Sequence, residues 1–308
     1  MNKFITSLFF YLQHKIKTLF TSGKVIDIKD KKVIVSFTTL PSRFPNIEET
    51  LISLINQTRL PDEIVISIPK YSVREDTQYI VPNIVKKIIE KNKKSSLFIK
   101  VPDITILRSD KDWGPATKFI PLLQRELNKE KNKNLLIILD DDQVYQRTMI
   151  SNFIKYHKKH NKSVLCNRGR ILKSDFIYNN SDIILSSKIK TPKPVDIITG
   201  VGAYLLIPDM FNSTIWDYEG APKGAFYMDD IWISGYLAKN NIERLTIPVH
   251  SELLIRSKRD LHKSRVFKGN KKQKDTITLS EIPCDEAEEN PREFYNNSVI
   301  KYYKDYWK

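Results

Sequence analysis

Between Val33 and Asp140 the chain alternates four short apolar runs with segments of helical period, and this alternation limits the fold more than any other feature of the sequence. KKVIVSFTTLP reads as a strand entering a loop, DEIVISIPK as a second strand ended by Pro69, DITILRS as a third and NLLIILD as a fourth. Several of these runs are continuously apolar, the mark of strands buried on both faces. Between them, PNIEETLISLINQT sets Ile47, Leu51, Leu54 and Ile55 on one helical face, with Pro45 and Asn46 at its entrance. YIVPNIVKKIIEKNKK is a helix that tolerates Pro82 only near its start, and PATKFIPLLQRELNKEKN follows the turn in DKDWGPATKF as another. Strands and helices in this order predict an α/β fold with a mainly parallel, Rossmann-like central sheet flanked by helices. Ligands of such sheets bind beyond the carboxyl ends of the strands, where FTTLPSR, RSDKDWGP and DDDQVY would converge.

Beyond Tyr145 the pattern becomes mixed. A helix is expected over about Thr148 to His160, then the strand SVLCNRG and a polar excursion near Tyr178 to Pro194. ITGVGAYLLIPDMF joins a glycine turn to a strand, FYMDDIWISGYLAKNN is a helix with two acids near its beginning, and IERLTIPV is again a strand. The expected organisation is a leader and connector over residues 1–30, one α/β domain over 31–250 with a mixed later half, and a charged C-terminal extension over 251–308 that packs on or near it.

The 51 basic against 36 acidic residues give a formal charge of +15, which favours anionic partners. Lysine-rich stretches such as KKIIEKNKKS and KYHKKHNKS read as solvated helix ends, and zinc-finger spacing, an RNP-like aromatic pair and a basic region joined to heptads are all missing, so no specific nucleic-acid partner is expected. Neither a Gly-rich dinucleotide fingerprint nor a P-loop follows the first strand, which removes the usual phosphate cradle of NAD enzymes and ATPases. Cys166 and Cys284 make neither a metal cluster nor a disulfide framework and point to a reducing compartment.

The leader MNKFITSLFFYLQHKIKTLF gathers Ile5, Leu8, Phe9, Leu12, Ile16, Leu19 and Phe20 on one helical side, with His14, Lys17 and Thr18 away from them. Its apolar run is too short to span a bilayer. The pattern suits an interfacial helix on an anionic membrane surface, and equally a helix docked on the chain's own body. The expected location is cytoplasmic, peripheral on the inner face of the membrane.

The chemistry is concentrated in LLIILDDDQVYQ, where three adjacent carboxylates close an apolar strand. Such acids repel one another unless solvent, a cation or a positive ligand offsets them. If extension persists, Asp140 and Asp142 share a face and Asp141 points elsewhere. A divalent cation held by Asp142, with Asp140 as a second ligand or a partner for a ribose hydroxyl, could then bridge to phosphates. A solvated acidic turn is the bland alternative. Asp229 and Asp230 open a helix, where an acid is a cap or, facing a substrate, a proton acceptor. Gly200 and Gly202 permit close approach of a donor or acceptor, or simply a tight turn. Trp113 is a sugar-stacking ring or a core residue.

Taken together, VSFTTLPSR, the DDD triplet in the position of a DxD motif, and the later acidic pair in YMDDIWISGYL resemble the GT-A superfamily of nucleotide-sugar glycosyltransferases, family 2-like, over roughly Val33 to Val249. KDWGPATKF resembles a donor-side segment of some members. The resemblance implies a GT-A catalytic domain over 31–250 that uses Mn²⁺ or Mg²⁺ and a UDP-sugar donor and acts on a glycan or lipid-linked glycan. It places Thr38, Thr39, Pro41 and Arg43 near the nucleotide, Asp110 or Asp112 at the base, and Lys118 near the donor phosphates, beside Asp140 and Asp141. It gives Asp230, with Asp229 as the second choice, the role of catalytic base in an inverting displacement, and it offers His250 or His262 as a further metal ligand. A metal-dependent phosphotransferase or nuclease, and a noncatalytic glycan-binding protein, are the competing readings.

Overall fold

The computed structural model describes residues 28, 31–97, 100–129, 134–249 and 290–307. The leader therefore lies outside the described residues, as do His250 and His262. The strands are β1 (Val33–Phe37), β2 (Glu63–Pro69), β3 (Tyr71–Ser72), β4 (Thr77–Gln78), β5 (Asp103–Ser109), β6 (Leu135–Ile138), β7 (Val164–Cys166), β8 (Arg168–Ile171), β9 (Asp182–Leu185), β10 (Lys193–Pro194), β11 (Ile197–Ile198), β12 (Tyr204–Leu206) and β13 (Arg244–Thr246). The helices, numbered along the chain, are α1 (Glu48–Ile55), α2 (Asn83–Ser95), α3 (Ile120–Leu127), α4 (Met149–His157), α5 (Gly224–Tyr227), α6 (Asp229–Lys239) and α7 (Pro291–Tyr302).

Eight strands form the central sheet in the order β10-β13-β7-β12-β6-β1-β2-β5. Strands β6, β1, β2 and β5 run parallel, β12 is antiparallel to both β6 and β7, and β13 returns parallel to β7. The continuous apolar runs are buried on both faces because successive side chains of a strand point to opposite sides. Val33, Val35 and Phe37 enter one core while Ile34 enters the other, and Leu135 and Ile137 separate from Leu136 and Ile138 in the same way. Helices α1, α2 and α4 close one face; α3, α6 and α7 close the other. Each fully buried Ile or Leu in these layers contributes about 1.5–3 kcal/mol over its exposed state. This is the mainly parallel, helix-flanked, Rossmann-like sheet that the alternation of strands and helices predicts.

Local chemistry moves several boundaries. Pro82 is the N-cap of α2, at the helix entrance where a missing N–H costs little. PATKF does not open a helix directly: Gly114–Lys118 form a 3-10 turn, and α3 starts at Ile120 with Pro121 in its first turn. SVLCNRG is broken at Asn167 between β7 of the main sheet and β8 of a small antiparallel sheet, β11-β8-β9. The helix expected over FYMDDIW is interrupted at Met228 (φ −109°, ψ 58°), so that Asp229 begins a new helix. No helix among the described residues is long and apolar enough to cross a membrane.

The C-terminal helix α7 is part of the core. Its Tyr295, Val299 and Ile300 are buried with Ile231, Trp232 and Tyr236 of α6, and Tyr303 and Trp307 seal its end. Gly235 is the contact point: a Cβ there would stand 2.0 Å from Cδ2 of Tyr303, and that ring is held by Trp232 at 5.3 Å and Trp307 at 6.2 Å. Gly235→Ala should therefore destabilise the protein by about 1–3 kcal/mol through overpacking, although alanine is the better helix former by roughly 1 kcal/mol. A denaturant midpoint equal to or above that of the wild type would show that α7 does not lock onto α6 in this way.

Candidate active site

The parallel strands β1, β5 and β6 end on one edge of the sheet. The turn before β12 joins them there, because β12 starts with Tyr204 paired to Ile138. Helix α6 presents its first turn, and α7 its Arg292, to the same edge. Between these segments lies a cleft of about 310 Å³ whose walls include Thr38, Thr39, Arg43, Asp140, Asp141, Asp142, Asp229 and Asp230.

Strand geometry stops at Ile138, and residues 141 and 142 form a turn, so the shared face expected of Asp140 and Asp142 does not form. Each acid instead has its own surroundings. The Tyr145 hydroxyl accepts from the backbone N–H of Asp140 at 3.0 Å and donates to its carbonyl at 2.8 Å, which fixes the bend. The Asp140 carboxylate takes the Lys118 ammonium at 2.9 Å. Asp141 is buried, pairs with the Arg43 guanidinium, and accepts from the Thr39 hydroxyl at 2.5 Å. Burial pushes its carboxyl up to about 6 despite the guanidinium of Arg43. Asp142 is the most open of the three, 36% exposed, with Gln143 Nε2 donating to it at 3.2 Å and Arg43 3.4 Å away.

Lys118 is 4% exposed and lies among three carboxylates: Asp140 at 2.9 Å, Asp229 Oδ2 at 3.1 Å and Asp230 Oδ1 at 3.9 Å. Its burial opposes the charge, but the three acids prevail and hold its proton affinity well above the ordinary lysine value. The resemblance implies a place near the donor phosphates for this lysine; in the fold its ammonium lies among carboxylates of both acidic motifs. The backbone carries it there, since the Ser36 hydroxyl at the end of β1 donates to its carbonyl at 2.7 Å. Gly200 packs close beside it: an added Cβ would lie 2.9 Å from both Lys118 Nζ and Asp140 Oδ1 and would displace one of these side-chain ends. Gly202, at φ +91°, serves the turn into β12.

Asp229 and Asp230 occupy the first turn of α6, whose N-cap is Met228. Asp229 is 6% exposed and faces Lys118. Asp230 accepts the Gly200 N–H at 2.7 Å on one oxygen, while its other oxygen is buried without a hydrogen bond. Burial raises both carboxyls above the usual carboxylate range, Asp229's charge adds to the rise at Asp230, and Lys118 opposes it at both.

Other candidates stand differently. Asp112 lines the cleft, but its carboxylate accepts from the N–H groups of Val73 and Gly114, both at 2.8 Å, which ties the β3–β4 hairpin to the 3-10 turn. Asp110 is exposed away from the cleft and pairs with Lys70 at 2.6 Å. Trp113 is a core residue, buried against Tyr218 with Lys111 over its ring, because Gly114 (φ +58°) turns the chain so that Gly114 and Pro115 line the cleft instead. Pro41 lies in the turn after β1 and is not a lining residue, whereas Thr38 is. Sequence reasoning misses Arg74, Tyr79, Phe226, Tyr227 and Arg292, which also line the cleft. Tyr145 was within the acidic stretch itself, and its spacing from Asp140 is the signal that could have found it.

Among the described residues no three His, Cys, Asp or Glu side chains converge as a protein-only metal cage. A hard divalent cation that takes one or two carboxylates and completes its shell with phosphate oxygens and water needs none. The open carboxylate of Asp142, with Asp140 two residues away, supplies donors of that class; Asp141 is already engaged by Arg43 and Thr39.

The family model described as glycosyl transferase family 2 matches residues 33–210. No curated protein matches the chain. Among solved structures it is similar to the mannosyltransferase PcManGT from Pyrobaculum calidifontis, in complex with GDP-Man and Mn²⁺, at 18% identity and a TM-score of 0.41. That match covers 80% of this chain and 63% of the other, so this chain spans less than two thirds of its length.

Proposed function

Since the chain belongs to glycosyl transferase family 2, we propose that it moves a sugar from a nucleotide-sugar donor, a UDP-sugar, to a hydroxyl of a glycan or lipid-linked glycan by a single inverting displacement. The observation that carries this reading is the meeting of two acidic motifs, ninety residues apart, around one buried lysine: Lys118 lies within 3.9 Å of Asp140, Asp229 and Asp230.

Asp230 is the base in this reading. Its Oδ1 makes no hydrogen bond and lies 3.9 Å from Lys118, which leaves it to take the acceptor hydroxyl's proton, while the Gly200 N–H fixes the other oxygen; its raised proton affinity suits proton transfer near neutral pH better than an ordinary carboxylate would. As that proton moves, the acceptor oxygen bonds to the anomeric carbon, and the bond to the diphosphate oxygen breaks with its electron pair leaving on the diphosphate. Asp229 is held against Lys118 and acts as a positioning residue. Asp142 and Asp140 would hold a Mn²⁺ or Mg²⁺ ion, which when bound offsets the charge of the departing diphosphate. Arg43 keeps Asp141 buried and so leaves Asp142 as the open donor.

A panel of UDP- and GDP-sugars, with and without Mn²⁺ or Mg²⁺, tests the proposal by donor binding and by release of nucleoside diphosphate. Binding of one donor class should be strengthened by the metal, and Asp142→Ala should abolish that strengthening, a loss of about tenfold or more in affinity. Failure to bind any nucleotide sugar in the presence of metal would refute the reading; binding without hydrolysis or transfer to any acceptor would favour a glycan-binding role.

A further inference from the structure

We infer that Thr50 of helix α1 is a positioning residue for the cation: its hydroxyl gathers the backbone on both sides of Asp142 and so holds that carboxylate at the cleft. The inference rests on the reading that Asp142 and Asp140 hold Mn²⁺ or Mg²⁺, and it names the residue on which their presentation depends.

The segment that carries the acids has no hydrogen-bond ladder of its own. Strand β6 ends at Ile138 and helix α4 starts at Met149, and residues 143–146 between them are neither helix, strand nor turn. Buried backbone groups in such a stretch must find partners elsewhere. Helix α1 supplies them. Thr50, Ser53 and Gln57, at positions i, i+3 and i+7, stand on one side of the helix and its exit, and all three are buried. The Ser53 hydroxyl accepts the Tyr145 N–H at 3.1 Å and gives its own proton to the Thr50 carbonyl at 2.7 Å. Gln57 donates to the Gln146 carbonyl at 2.7 Å and accepts the Ile150 N–H at 3.2 Å. Tyr145, anchored in this way, holds the main chain of Asp140 through its hydroxyl.

Within this polar row Thr50 stands nearest the chemistry. Its hydroxyl lies 2.7 Å from the Asp141 carbonyl and 2.9 Å from the Gln143 carbonyl, with one proton to share between them. The residue between those two carbonyls is Asp142. Pinning both neighbours fixes the backbone from which the open carboxylate of Asp142 reaches the cleft. A threonine inside a helix commonly returns its proton to a carbonyl one turn back; Thr50 sends it across to the acidic turn instead. Helix formation does not ask for threonine at this place either, since alanine and leucine are better formers. A metal ligand that loses the outer contact orienting it binds its ion roughly 10–100-fold more weakly. The hydroxyl of Thr50 is such a contact, acting through the backbone of Asp142.

The test compares the affinity of the full-length protein for UDP and for GDP, with and without Mn²⁺, by calorimetry. Thr50→Val keeps the shape of the side chain and removes the hydroxyl. It should cut the strengthening that Mn²⁺ gives to nucleotide binding by about tenfold and leave the metal-free affinity unchanged. Thr50→Ser, which keeps the hydroxyl, should restore most of the strengthening. Should Thr50→Val fail to fold, Thr50→Ala removes the same hydroxyl without added bulk and carries the same expectation. Leu54→Val, which thins the packing of the same helix and removes no hydrogen bond, should lower the denaturant midpoint and spare the Mn²⁺ effect. Wild-type strengthening in the hydroxyl-free variant, a Thr50→Ser variant as defective as Thr50→Val, an equal loss in Leu54→Val, or an equal loss of metal-free affinity would each overturn the inference. The wild type separates the two ideas. If Mn²⁺ strengthens nucleotide binding there and equally without the hydroxyl, only the role of Thr50 fails. If Mn²⁺ strengthens neither nucleotide in the wild type, the metal reading fails and the role of Thr50 falls with it.

Discussion

Asp230→Asn should lower kcat by about 10²–10⁴-fold, the usual worth of a positioned general base, while donor binding stays within a factor of two or so of the wild type. The substitution keeps the shape of the side chain, and the amide oxygen can still accept the Gly200 N–H that Asp230 accepts at 2.7 Å. What it removes is the capacity of the second oxygen, which lies 3.9 Å from Lys118 without a hydrogen bond, to take a proton. Asp229→Asn is the necessary comparison. Asp229 is buried against Lys118 at 3.1 Å, so its loss should act on stability and on the placement of Lys118, with a smaller fall in kcat. Transfer retained within tenfold in Asp230→Asn, or a larger fall in Asp229→Asn, would move the base to the neighbouring residue. Retention of anomeric configuration in the product would remove the single displacement altogether.

The contrast between these neighbours marks the limit of what the sequence carries. The central sheet is legible because continuous apolar runs have one stable solution, burial on both faces, and β1, β2, β5 and β6 fall where VIVSF, EIVISIP, DITILRS and LLII predict. The edge at which loops converge follows from strand direction alone. Side-chain assignments within those loops depend on where extension ends, which no local pattern specifies. Asp140 and Asp142 reach the same cleft from a turn and not from one strand face, because residues 141 and 142 form a turn directly beyond β6. Trp113 is drawn into the core by the positive φ of Gly114 two bonds further along the backbone. Arg292 carries no motif at all; only the return of α7 brings it to the acids. Lys118 is the instructive case, since the sequence marks it as a cation of the site, and only the packing reveals which anions it serves.

That last point yields the largest effect on stability. Lys118→Met should destabilise the protein by about 3–5 kcal/mol, because it removes one partner of a buried ionic cluster and leaves the others without compensation. Methionine matches the aliphatic stem, so the loss is of charge and not of volume. Three carboxylates would then face one another around an apolar thioether, and Asp229 and Asp230, already raised by burial, would have to take up protons or turn toward solvent. A second change should restore part of the loss: Lys118→Met with Asp229→Asn removes the carboxylate that stands 3.1 Å from the missing ammonium, so the double variant should be more stable than Lys118→Met alone, an interaction that a double-mutant cycle on denaturant midpoints reads directly. The same variants decide which anions the lysine serves. A counter-ion of Asp140, Asp229 and Asp230 gives a stability loss that Asp229→Asn repairs; a lysine reaching the donor diphosphate gives wild-type stability with a donor affinity lowered by about tenfold or more. Stability of Lys118→Met within 1 kcal/mol of the wild type, a third or less of the loss expected for a broken buried pair, would overturn the buried cluster as the element that unites the two acidic motifs.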